Sequence, residues 1–124
     1  MAHLPENVKA ALDSIKAPVV FTTVDPQSVP NSVYCMLSKV ENDNVVVCDN
    51  YFVKTRENIK SGSSGAVLFI TAEMKAYQIK GTLEYLISGP LYEEIRDGVD
   101  AKHPRVAAVV LHVDAVYCGA EKLV

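Results

Sequence analysis

The stretch from Val45 to Ile59, VVVCDNYFVKTRENI, decides how this chain is read, because an apolar run passes through a polar turn into a cationic helix start. Val45, Val46, Val47 and Cys48 form a short run, mostly β-branched and bounded by Asn44 and by Asp49-Asn50, which predicts a strand buried on both faces. Lys54-Thr55-Arg56 then opens a helix that Gly62 can end. Free backbone N–H groups, a hydroxyl and one or two cations therefore converge where the strand stops, a place suited to a phosphate. On the residues alone a second reading stands beside it, since Lys, Thr and Arg are common on any solvated helix start. The macrodipole repels cations there, which favours an anion nearby.

Outward from this stretch, the chain reads as one domain of 124 residues with a formal net charge of −3 and no Trp. Its composition is that of a globular protein with strand-length apolar runs and no basic-plus-apolar leader, so the cytoplasm is the expected compartment. The acidic balance and the lack of a basic cluster argue against nucleic acid and against an anionic membrane as partners. Cys35, Cys48 and Cys118 are widely spaced in apolar runs and read as free thiols. His3, His103 and His112 share no metal-ligand spacing, so no metal site is expected.

Before the Val45 strand, Pro5 to Lys16 predicts an amphipathic helix through Val8, Leu12 and Ile15. Val19 to Val24 predicts a strand, Asp25-Pro26-Gln27-Ser28 a turn, and Asn31 to Val40 a second strand, forming a hairpin. After the Lys54 helix, Ser61-Gly62-Ser63-Ser64-Gly65 precedes a strand instead of a helix and is read as a linker, not a phosphate loop. Ala66 to Thr71 is an apolar strand. Lys75 to Ser88 alternates with period two, placing Tyr77, Ile79, Leu83 and Tyr85 opposite Gln78, Lys80, Thr82 and Glu84, with a bulge or bend expected at Gly81. Gly89-Pro90 starts a third helix that ends at Asp97-Gly98. Val106 to Cys118 is the last strand, with Val109, Leu111, Val113, Ala115 and Tyr117 on one face. Val110, His112, Asp114 and Val116 take the other, and His112 beside Asp114 reads as a surface pair. The order predicts a mainly β chain with peripheral helices, arranged as an antiparallel barrel.

Three segments together resemble the small flavin-binding split barrels related to pyridoxamine 5'-phosphate oxidase: VVFTTVDPQSVPNSVYCM from Val19, VVVCDNYFVKTRENI from Val45, and AYQIKGTLEY from Ala76. The resemblance implies a six-stranded Greek-key split barrel, a homodimer, and flavin mononucleotide (FMN) bound near each subunit interface. It assigns Lys54 and Thr55 to the phosphate. Asn31, Ser32, Val33 and Tyr34 fall on the strand lining the isoalloxazine ring, Cys48 and Asp49 beside the ring edge or ribityl chain, and Gln78 near the flavin. The chain departs from the larger enzymes in having Val33 where they carry arginine, Lys-Thr in place of Arg-Lys, and no Trp-Arg-rich segment after its last strand. Oxidation of pyridoxamine phosphate is therefore not expected.

The functional expectation is an FMN-binding redox protein, an oxidoreductase or an electron carrier, in which the cofactor carries the chemistry. A reduced nicotinamide is one electron source, although no GxGxxG fingerprint is present to hold it. The rival expectation is a non-catalytic module that stores or senses a flavin, haem or deazaflavin.

Overall fold

The computed structural model describes residues 2–124. Eleven elements follow in order: α1 (Glu6–Ser14), β1 (Val19–Val24), β2 (Pro30–Cys35), β3 (Leu37–Glu41), β4 (Asn44–Asp49), α2 (Lys54–Lys60), β5 (Gly65–Ile70), β6 (Ala76–Leu86), α3 (Pro90–Gly98), β7 (Ala107–Cys118) and β8 (Glu121–Lys122). The strands form one antiparallel sheet, ordered β2-β1-β5-β6-β7-β4-β3, with β8 paired to β7. It curls into a half-barrel around the core, the mainly β split-barrel class expected from the sequence. No helix among the described residues is long and apolar enough to cross a membrane.

The Val45 run sits as its composition requires. Val45 and Val47 join the inner core with Phe21, Val67, Ile79 and Leu111, which α1 closes through Val8 and Leu12. Val46 and Cys48 face the other way, beneath Ile95 of α3. Both faces are covered, so neither needs polar residues. Each fully buried valine contributes roughly 1.5–3 kcal/mol through removal from water.

The described residues form eight strands against the six expected, for two reasons. The single strand expected over Asn31–Val40 is interrupted at Met36, and the pairing of β3 with β4 shifts register between Leu37 and Lys39, so β3 leaves on a new course. The short β8 adds the other. The irregularity expected at Gly81 is there, but the extra residue lies on the partner strand: Lys80 opposes Ala115 and Gly81 opposes Val113, leaving Asp114 unpaired. The reason is contact. A Cβ at position 81 would stand 1.9 Å from the His112 carbonyl oxygen, so only glycine lets the two backbones meet.

That bulge corrects the expected faces of β7. Beyond it the alternation reverses, and Val116 enters the core with Val113 while Ala115 and Tyr117 leave the inner face. His112 is also not paired with Asp114. Its Nε2 lies 2.8 Å from Glu84 Oε1 across the β6–β7 ladder.

Candidate functional site

The expected phosphate pair lies at the start of α2, and what fixes that helix is polar. Asn58 Nδ2 donates to Thr23 Oγ1 at 3.0 Å with both residues buried, and Asn31 Nδ2 donates to Thr55 Oγ1 at 2.9 Å. These two bonds tie α2 to the β1–β2 hairpin. Each satisfies groups that would otherwise be stranded away from water. The hairpin turn is held by Asp25, whose Oδ1 accepts from the backbone N–H of Gln27 and of Val29, both at 2.9 Å. Lys54 Nζ lies 3.8 Å from Asp25 Oδ2, a loose pair, with 51% of the lysine side chain open to solvent. Lys54 is thus a cation still available to an anion, next to a hydroxyl already anchored on β2.

Asp49 supplies the second anchor. Its carboxylate is wholly buried and accepts from Arg56 Nε at 2.7 Å, Arg56 Nη2 at 3.1 Å, the Phe52 N–H at 3.0 Å and Tyr85 Oη at 2.6 Å. The Asp49 hydrogen bond, with its charge, holds the Arg56 guanidinium above its ordinary pKa. Burial, followed by the same carboxylate, pushes the Tyr85 hydroxyl up to about 12. Arg56 is therefore spent inside the protein, and Asp49 has no free oxygen edge to offer a ligand.

The ring-lining strand splits by face. Ser32 and Tyr34 project from the outer side of the sheet, where Ser32 Oγ meets Thr22 Oγ1 at 2.8 Å. Asn31 and Val33 turn the other way, Asn31 to α2 and Val33 onto the inner core. Gln78 shares the outer face with Tyr34, in one row through Val20 and Leu68. Three strand spacings separate the two, about 14 Å. This outer face is open and mixed, with exposed apolar residues among Thr22, Ser32 and Gln78: Tyr34 is 77% exposed, and Val24, Leu68 and Ile70 are exposed with it.

Cys48 lies at the end of β4 against a cavity of about 890 Å³ that Val33 and Tyr34 also line, whereas neither Lys54 nor Thr55 reaches it. Its thiol is pushed up by burial and then by Asp49, and Cys35 is pushed up to about 12 by burial and then by Cys48. Both stay protonated at neutral pH and are poor nucleophiles. All three cysteines are free. No cluster of metal-binding side chains occurs among the described residues.

The nine residues expected at a cofactor thus separate: Lys54, Thr55 and Asn31 lie at the α2 junction; Ser32, Tyr34 and Gln78 on the outer face; Val33 and Asp49 inward; and Cys48 on the side of β4 that α3 covers. Tyr85, Asn58 and Thr23 complete the junction and were not legible in the sequence. Each lies tens of residues from its partner, in unremarkable polar or apolar context. The donor set fits a phosphorylated planar cofactor. It offers one available ammonium for an anion and an open sheet face for a ring, while the Thr55 hydroxyl is buried against Asn31.

The family model described as Pyridoxamine 5'-phosphate oxidase matches residues 4–118. No curated protein matches the chain. Among solved structures, HupZ of Group A Streptococcus shares 20% identity at a TM-score of 0.80, covering 97% of this chain and 94% of that one. An FMN-binding protein from Syntrophomonas wolfei shares 15% at 0.77, covering 87% and 80%. HutZ, described as the heme storage protein of Vibrio cholerae, shares 11% at 0.70, covering 94% and 95%. At these identities the three likenesses speak for the fold.

Proposed function

The chain belongs to the pyridoxamine 5'-phosphate oxidase family, and on that premise we propose that it is an FMN-binding redox protein acting as a homodimer with flavin at each subunit interface. One observation supports this above the others. The Asn31–Thr55 hydrogen bond joins the strand assigned to the ring with the helix start assigned to the phosphate, although 24 residues separate them in sequence. In this reading Lys54 neutralises the phosphate, and Thr55, buried and held by Asn31, fixes the helix start that presents it. Ser32, Tyr34 and Leu68 present the face on which the ring rests, and a second copy of the chain excludes water from it. Asp49 and Arg56 act behind the site by keeping α2 in place. When bound, FMN supplies the electron or hydride chemistry, and no side chain here is required as an acid or base.

Titration with FMN and riboflavin in parallel tests the assignment. Lys54→Ala should weaken FMN more than riboflavin by about 1–3 kcal/mol, the worth of a charge-assisted contact. Equal losses for the two ligands would remove the phosphate from this junction. Bleaching of the bound flavin by reduced nicotinamide, with recovery in air, separates a redox protein from a storage module. Sedimentation should give twice the chain mass, and a flavin-loaded monomer would discard the interface site.

A further inference from the structure

An anion arriving at Lys54 would not meet that ammonium alone. Asp25 Oδ2 lies 3.8 Å from Lys54 Nζ, too far for a hydrogen bond but close enough for the two charges to offset each other. The carboxylate cannot swing clear. Its Oδ1 is fixed by the N–H groups of Gln27 and Val29, and its side chain is only 11% exposed, so the turn from β1 to β2 keeps Oδ2 beside the lysine. Among the described residues Oδ2 accepts no hydrogen bond, which leaves one unused acceptor at the edge of the site.

The other charges on the surrounding elements do not alter this balance. Arg56 on α2 is held by Asp49 at the end of β4, Lys60 lies over the Tyr85 ring of β6, and Glu57 is exposed. Elsewhere on β6, Lys80 lies over Tyr117, and Glu84 meets His112 of β7. β1, β2 and β5 carry no charged residue. Lys54 and Asp25 therefore bring one positive and one negative charge to the place where a phosphate would sit. A phosphate monoester has its second pKa at about 6 and carries nearly two negative charges at neutral pH. Fully ionised, it would set one charge against Lys54 and the other against Asp25, and like charges side by side disfavour the ionised form. A phosphate that keeps one proton removes the conflict, because its O–H finds an acceptor in Oδ2.

We infer that Asp25 makes this junction select a phosphate monoester as its singly protonated monoanion, with Lys54 donating to one phosphate oxygen and Asp25 accepting from the O–H. The inference rests on the proposed flavin reading and adds to it the protonation state that the site takes. Above a pH of about 6, binding draws one proton from the buffer onto the phosphate, and release returns it; no covalent bond in the chain changes.

FMN and riboflavin, titrated into the full chain from about pH 6 to about pH 8.5, test this, with riboflavin 5'-sulfate as a third ligand that keeps a single charge throughout and has no proton to donate. FMN affinity should fall by about tenfold for each pH unit well above 6, while the other two ligands stay level. Calorimetry at about pH 8 in two buffers of different ionisation enthalpy should count close to one proton taken up per FMN bound. Asp25→Asn keeps an acceptor oxygen for Gln27 and Val29 and removes the charge, so it should abolish both the fall and the proton uptake. FMN affinity that holds level or rises with pH, a sulfate ester that falls in parallel with FMN, or a fall that survives in folded Asp25→Asn would overturn the inference. If Asp25→Asn does not fold, the sulfate comparison and the proton count in the unaltered chain decide the matter. The two readings fail separately: equal losses for FMN and riboflavin in Lys54→Ala would take the phosphate away from this junction, whereas a selective loss without proton uptake would remove only the role of Asp25.

Discussion

Replacing Asp49 with asparagine strips the charge from a carboxylate that is 0% exposed, while keeping its shape. Four donors converge on its two oxygens: two from Arg56 and one each from Phe52 and Tyr85. Asparagine offers one acceptor oxygen and turns an N–H₂ group toward donors it cannot accept from. Breaking a buried pair costs about 3–5 kcal/mol when the surviving charge has no escape. Here Arg56 retains 30% side-chain exposure, so water takes up part of the stranded charge and the expected loss is lower, about 2–3 kcal/mol. With a urea slope of about 1–3 kcal/mol per M, the unfolding midpoint should fall by roughly 0.7–3 M. Asp49→Leu combined with Arg56→Met should cost less than Asp49→Asn alone, because no charge is left behind. An Asp49→Asn protein within about 0.5 kcal/mol of the parent would refute the reasoning, since that is the scale of ordinary surface substitutions. Were Asp49 instead a contact to the ribityl chain, flavin affinity would drop while stability held.

The remaining expectations concern backbone contact and pH. Gly81→Ala should destabilise by about 3 kcal/mol or more, because the added methyl would have to displace the His112 carbonyl; native hydrogen exchange along β6 and β7 reads it, and unchanged protection counts against the close approach. Tyr85 has its pKa raised in the folded state from 10.0 to about 12, so the fold holds that proton longer than the unfolded chain does. Its contribution is whole below pH 10 and lost as the pH rises toward 12, and Tyr85→Phe should flatten the alkaline limb of a stability titration. Asp43 has the opposite sign: the His3 hydrogen bond first, then the Leu4 N–H and Lys9, lowers it from 3.8 to about 2. Its contribution is present above pH 3.8 and lost as the pH falls toward 2, so Asp43→Asn should flatten the acid limb.

What the chain discloses as a string is what short-range rules govern. Four consecutive, mostly β-branched apolar residues at Val45 read as a strand covered on both sides, and the structure covers it with the core and with α3. The period-two run of β6, the helix opened by Gly89-Pro90 and the special role of Gly81 follow from alternation and turn chemistry in the same way. Tertiary structure decided whatever depends on register and curl. It sent Arg56 to Asp49 instead of to a ligand, gave His112 to Glu84 instead of Asp114, reversed β7 past its bulge, and opened the cavity where β2 breaks. Those partners come from strands far apart in sequence, and one displaced residue in a ladder changes which side chains meet, so no local pattern could have announced them.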